Sequence, residues 1–128
     1  KAVSIKEGKS IAVLTIGTII NNVIKAIENC LIPFEVSCYD MRFIKPLDET
    51  LLHTIFKKYN TIITVEDGIL LGGFGSAILE FAAKNNYNTP IKNLGISDEF
   101  PSQGTIDELQ EIAGISSSKI TQTLNSYL

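Results

Sequence analysis

Short runs of β-branched and aliphatic residues alternate along this chain with stretches whose apolar residues recur at helical spacing, and no feature narrows the choice of folds more. Ile11-Ala12-Val13-Leu14-Thr15-Ile16 and Thr61-Ile62-Ile63-Thr64-Val65 have the near-continuous apolarity of strands covered on both faces. Residues 34–39 and 90–96 read as two more strands, and Ala2-Val3-Ser4-Ile5-Lys6 alternates as a half-solvated edge strand would. Between them, Ile20, Val23, Ile24, Ile27 and Leu31 form one helical stripe. Leu51, Leu52, Ile55, Phe56 and Tyr59 form a second, and Ile78, Leu79, Phe81 and Ala82 a third. The order β-β-α-β-α-β-α-β-α-α predicts an α/β fold with a mostly parallel, three-layer sheet.

Local signals set the boundaries. Thr18 reads as the N-cap of the first helix and Asp48 as that of the second. Thr105-Ile106-Asp107-Glu108 is a capping box before a short helix packed by Leu109 and Ile112. Gly114 ends it, and a last helix carries Ile120 and Leu124. The tight turn at Glu7-Gly8-Lys9 favours antiparallel pairing of the first two strands. With 128 residues, this is one domain with a core that needs no staple.

Several function classes fall away. A net charge of −3 without a basic block argues against nucleic acid. No apolar run approaches the roughly 18 residues of a membrane span. Cys30 and Cys38 are not in a CxxC pair and read as reduced core thiols, in keeping with a cytoplasmic protein. The single histidine, His53, falls off its helix's apolar face and reads as solvated, leaving little for a zinc site or a Ser-His-Asp triad.

Residues 60–84 concentrate what chemistry there is. A strand turns acidic at Glu66-Asp67-Gly68, passes Ile69-Leu70-Leu71, and enters a helix through Gly72-Gly73-Phe74-Gly75-Ser76. Such turns lie at the carboxyl ends of strands, where open α/β sheets keep their sites. A helix start rich in free N–H groups invites an anion. Yet Ile78 stands where the dinucleotide pattern needs a small residue, and no P-loop lysine is present. A close-packed turn at a protein or domain surface is therefore the stronger reading. Glu66 and Asp67, adjacent in an extended backbone, point to opposite sides and make no acid–base pair. Glu66-Asp67-Gly68 with Asn93 is only a partial match to a Gly-Asp-Gly…Asn magnesium–diphosphate motif, since the first glycine is missing. Arg42, in Asp40-Met41-Arg42-Phe43, has a planar fork suited to phosphate or carboxylate, although an ion pair with Asp40, Glu66 or a neighbouring domain is the simpler role.

Asp40-Met41-Arg42-Phe43-Ile44-Lys45-Pro46-Leu47-Asp48, Thr64-Val65-Glu66-Asp67-Gly68 and Gly72-Gly73-Phe74-Gly75-Ser76-Ala77, in this order and spacing, resemble the C-terminal domain of 1-deoxy-D-xylulose-5-phosphate synthases. Ile16-Gly17-Thr18 and the segment from Leu94 to Thr105 fit the same template, so the resemblance covers essentially the whole chain. Asp67 stands where a second Glu is usual, Ser97 where Pro is common, and Pro101 where an aliphatic residue is common. Transketolases and the thiamine-dependent subunits of 2-oxo acid dehydrogenases share this domain.

The resemblance implies a five-stranded mixed sheet with one antiparallel edge strand, in a C-terminal transketolase-like domain cut from a larger enzyme. The parent would condense pyruvate with D-glyceraldehyde 3-phosphate, losing CO2, with thiamine diphosphate and magnesium held by preceding domains. It would act as a homodimer at the head of non-mevalonate isoprenoid and thiamine precursor synthesis. The fragment itself is expected to bind no cofactor or metal, to carry no catalytic residue, and to brace the cofactor domains through loops at 40–46, 66–76 and 97–104. Asp40, Arg42, Lys45, Glu66, Asp67, Gly72, Gly73, Phe74, Gly75, Ser76 and Gln103 are the interface or anion-binding candidates, with Ile69, Leu70, Leu71 and Phe74 expected to be exposed. Two alternatives stay open: a docking domain of a 2-oxo acid dehydrogenase or transketolase, and an independent anion-binding module at residues 72–76.

Overall fold

The computed structural model describes residues 2–42, 46–67, 73–95 and 105–128. Five strands form one sheet: β1 (Val3–Lys6), β2 (Ile11–Ile16), β3 (Val36–Asp40), β4 (Thr61–Glu66) and β5 (Ile91–Gly95). Among the described residues the α-helices are α1 (Ile20–Asn29), α2 (Glu49–Lys58), α3 (Phe74–Lys84), α4 (Ile106–Ala113) and α5 (Ser117–Tyr127). The sheet order is β1-β3-β2-β4-β5, with only β1 antiparallel. The alternation of element types is as the sequence predicts.

β2 is central because all six of its residues are apolar or small enough to be covered. Ile11 and Val13 face a core completed by Val23, Ala26 and Ile27 of α1 and by Ile120 and Leu124 of α5. Ala12, Leu14 and Ile16 face the other layer, with Leu52, Ile55 and Phe56 of α2 and Phe74, Ile78, Phe81 and Ala82 of α3. Each large aliphatic side chain buried there contributes about 1.5–3 kcal/mol against the chain's ordering entropy.

The expected pairing of β1 with β2 is wrong. β2 already has parallel partners on both sides, so β1 takes the free edge of β3, placing Val3 beside Asp40 and Lys6 beside Cys38. The turn crosses the strand ends instead of folding back on itself. Lys9 and Ser10 donate their N–H groups to the Glu35 carbonyl, and a Cβ on Gly8 would meet the Val36 backbone at 2.5 Å.

Asp48 caps α2 by accepting from the Leu51 N–H (3.1 Å), and Thr105 and Glu108 form the reciprocal box on α4. Thr18 does not cap α1. After Gly17 (φ +90°) the chain turns one residue further, and the first helical bonds run to the Ile19 carbonyl. Residues 33–35 form a 3-10 turn ahead of β3, which leaves Leu31 and Phe34 exposed. Leu79 and Ile112 also face outward, and α4 has no buried residue. His53 is not solvated: its ring meets Phe81 edge-on at 4.9 Å and its Nδ1 lies 2.6 Å from the Tyr87 hydroxyl. The helical wheel of α2 cannot register Tyr87, which arrives from beyond α3. Both thiols are free and buried, Cys30 at the end of α1 and Cys38 inside β3.

Candidate functional site

The crossover from β2 runs to β3 on one side, and that from β4 runs to β5 on the other, so the direction of winding changes between β2 and β4. The carboxyl edge at that switch is where a doubly wound sheet opens a crevice. Glu66, the last residue of β4, lies there beside Ile16.

Its carboxylate is turned inward. Glu66 is 8% exposed, and its Oε2 accepts the Gly75 N–H at 2.6 Å. α3 has no capping side chain of its own, because its N-cap is Gly73, in the left-handed region at φ +93°. Glu66 therefore supplies the cap from the preceding strand, a charge-assisted bond at the positive end of the helix. An anion brought to this turn would meet that carboxylate, which argues against the anion-module reading.

The glycines have separate reasons. Gly73 needs its positive φ, and a Cβ there would meet nothing within 4 Å. Gly75 needs its missing side chain: a Cβ would lie 2.8 Å from Cγ of Asn93 on β5. Asn93 in turn accepts the Thr64 hydroxyl at 2.6 Å. So the close neighbour at Gly75 is the adjacent strand. Phe74, expected to be exposed, is fully buried among α2, α3 and β2 side chains. Its ring belongs to the apolar cluster of Leu14, Ile16, Leu52 and Ile78, so the first turn of α3 is anchored on the sheet. Ser76 is exposed on the outer side of α3.

At the end of β3 the arrangement is reversed. Met41 is 2% exposed and its N–H still bonds the Thr15 carbonyl at 2.8 Å. Arg42 then adopts φ +57° while its N–H donates to Asp40 Oδ1 at 3.1 Å. Its guanidinium touches Asp40 only loosely, Nε to Oδ2 at 3.9 Å, and the side chain is 54% exposed. Asp40 and Glu66 stand on strands separated by β2, and the two acids do not share a partner. Burial, and secondarily Asp40, push the Cys38 thiol from 9.0 up to about 12, so it is no nucleophile.

Asp67 is half-buried. Lys45, Gly72 and Gln103, like Ile69, Leu70 and Leu71, lie outside the described residues. Among the described residues no three His, Cys, Asp or Glu side chains group as a metal site, and no helix is long and apolar enough to cross a membrane. The diphosphate of thiamine diphosphate does not fit this turn, since the helix start that would take it already holds a carboxylate, and among the described residues no acids group there to hold magnesium. Asn93 and Gly95 complete the site; the sequence links Asn93 to Glu66 only through a partial magnesium–diphosphate motif, whereas the structure gives it a packing role, and Gly95 has no sequence-based role there. A Cβ on Gly95 would approach Cγ of Glu66 to 3.0 Å, and the signal for it was a glycine inside a strand.

Comparison with known proteins places this geometry. The family model described as transketolase, C-terminal domain, matches residues 1–120. The chain is 48% identical over 127 residues to the 1-deoxy-D-xylulose-5-phosphate synthase of Parabacteroides distasonis, covering 97% of this chain and 20% of that protein. It is 46% identical over 129 residues to the enzyme of the same name from Phocaeicola vulgatus, and 36% identical over 124 residues to that of Vibrio campbellii. These alignments cover 99% and 97% of this chain, and 20% and 19% of those proteins. The chain thus spans about a fifth of the length of the curated relatives it matches. Among solved structures, a split-gene transketolase, described as an inactive β4 tetramer, superposes with a TM-score of 0.79 at 24% identity. That match covers 98% of this chain and 42% of that one, and it bears on the fold alone.

Proposed function

Because the chain belongs to the transketolase C-terminal-domain family, we propose that it is the interface domain of a 1-deoxy-D-xylulose-5-phosphate synthase. The parent condenses pyruvate with D-glyceraldehyde 3-phosphate, releasing CO2, as a cytoplasmic homodimer. Thiamine diphosphate and magnesium belong to the domains that precede this one, and the excised chain is catalytically silent. Its part is to hold the cleft those domains form in a dry, fixed shape, on which covalent cofactor chemistry depends.

One observation carries the reading. β1 runs antiparallel to β3, so Val3 lies beside Asp40 at the carboxyl edge of the sheet. In a parent five times longer, the preceding polypeptide enters at the edge that bears Arg42 and the Glu66–Gly75 turn. Helix α4 supports it. Gln110 is bonded to Asn22 in the first turn of α1, near the same edge, and Ile106 and Ile112 remain exposed, as residues awaiting cover would.

The test uses the full-length protein. Pyruvate and D-glyceraldehyde 3-phosphate should yield CO2 and 1-deoxy-D-xylulose 5-phosphate. Gly73→Val, which forces a branched side chain to φ +93°, should lower turnover or dimer stability. Full activity and unchanged assembly in that variant would refute the bracing role, and absence of the product would refute the assigned reaction.

A further inference from the structure

We infer that Arg42 recognises a carboxylate on the protein surface that this edge faces; the inference rests on the bracing role proposed above and names the chemistry of the contact. The backbone aims the side chain. Met41 is tied to the sheet by its bond to Thr15 and by burial, and the next residue turns into the left-handed region, closed by Asp40. Glycine or asparagine would take φ +57° at less cost, so an arginine there retains local strain, matched among the described residues only by its contacts with Asp40. The contact with Asp40 is too long for a hydrogen bond and uses only Nε. The two terminal nitrogens have no ion-pair partner among the described residues, and they form the fork that takes a carboxylate through two parallel bonds.

Position and charge select the occupant. Val3 beside Asp40 puts Arg42 where preceding polypeptide enters, so protein is at hand. Asp40 stays next to the guanidinium and repels a phosphate dianion about twice as strongly as a carboxylate at the same place. The expected arrangement is a row, Asp40–Arg42–carboxylate, across the domain boundary.

Hydrogen exchange of the full-length protein tests this, comparing wild type with Arg42→Gly and Arg42→Lys, with and without inorganic phosphate. Glycine keeps the turn and removes the fork. It should speed exchange about tenfold in the peptide spanning residues 36–42 and in one acidic segment of the facing domain. Lysine, a point charge, should restore only part of the protection. Phosphate should leave the wild type unchanged. Equal exchange in wild type and Arg42→Gly overturns the inference, as does phosphate-dependent protection that Arg42→Gly abolishes. Failure of the bracing role itself has a different signature, a wild-type edge that exchanges as freely as open loops.

Discussion

Two strands of this sheet end in an acid, and the two ends are built in opposite senses. At the end of β4, Glu66 folds back to bond the Gly75 N–H, Phe74 is buried, and Asn93 closes over Gly75. Every polar group named there is satisfied within the domain. At the end of β3, Asp40 bonds the backbone of Arg42 and leaves the guanidinium outside. The glycine-rich turn, which draws attention in the sequence, is the closed one, and the plain Asp-Met-Arg is open. A carboxylate at a strand end thus marks an outward site only when no helix start lies near enough to take it.

Removing the closing bond should have the largest effect. Glu66→Ala in the full-length protein leaves a buried N–H unpaired at the start of α3, a cost of about 2 kcal/mol, read as faster native-state exchange at Ser76 and Ala77. If exchange there is unchanged, the closed picture of the β4 turn is wrong. Gly73→Ala follows, at about 1–2 kcal/mol for an L-residue in the left-handed region. A Cβ there meets nothing within 4 Å, so the cost is that of the backbone conformation, and β-branched valine should cost more than alanine. Arg42→Gly comes next, with exchange about tenfold faster over residues 36–42 of the full-length protein, because the strain relieved, about 0.5–1 kcal/mol, is smaller than the loss of the boundary contact. Faster exchange confined to residues 36–42, with none in the facing domain, would mean that the arginine serves its own domain.

The smallest effect concerns Cys38. Its folded pKa is raised, so the stability linked to its protonation is complete below about pH 9 and is lost as pH rises toward 12. The native thiol should resist an aromatic disulfide reagent at pH 8 and react on unfolding. Asp40→Asn should bring the pKa down only slightly, because burial is the larger cause and Asp40 the second. A fast-reacting thiol in that variant would show that Asp40's charge reaches further into the sheet than its turn.

Much of the fold is legible because it depends on neighbours in sequence. The buried runs of β2 and β4, the Asp48 cap and the Thr105–Glu108 box follow from patterns a few residues long. What is not legible depends on which elements meet. β1 seeks β3 because β2 has no free edge, and His53 finds Tyr87 only when α2 packs beside the end of α3. Glu66 becomes a cap because α3 starts above its own strand.

By itself the sequence determined the alternation of strands and helices, the caps at Asp48 and Thr105, and the family motifs at both strand ends, since propensity and periodicity act over one or two turns. Only the tertiary structure decided which acid is buried and which charge stays out. That choice turns on whether the start of the following helix folds back to bring a backbone donor within 3 Å of the strand end, which residue pattern alone does not encode.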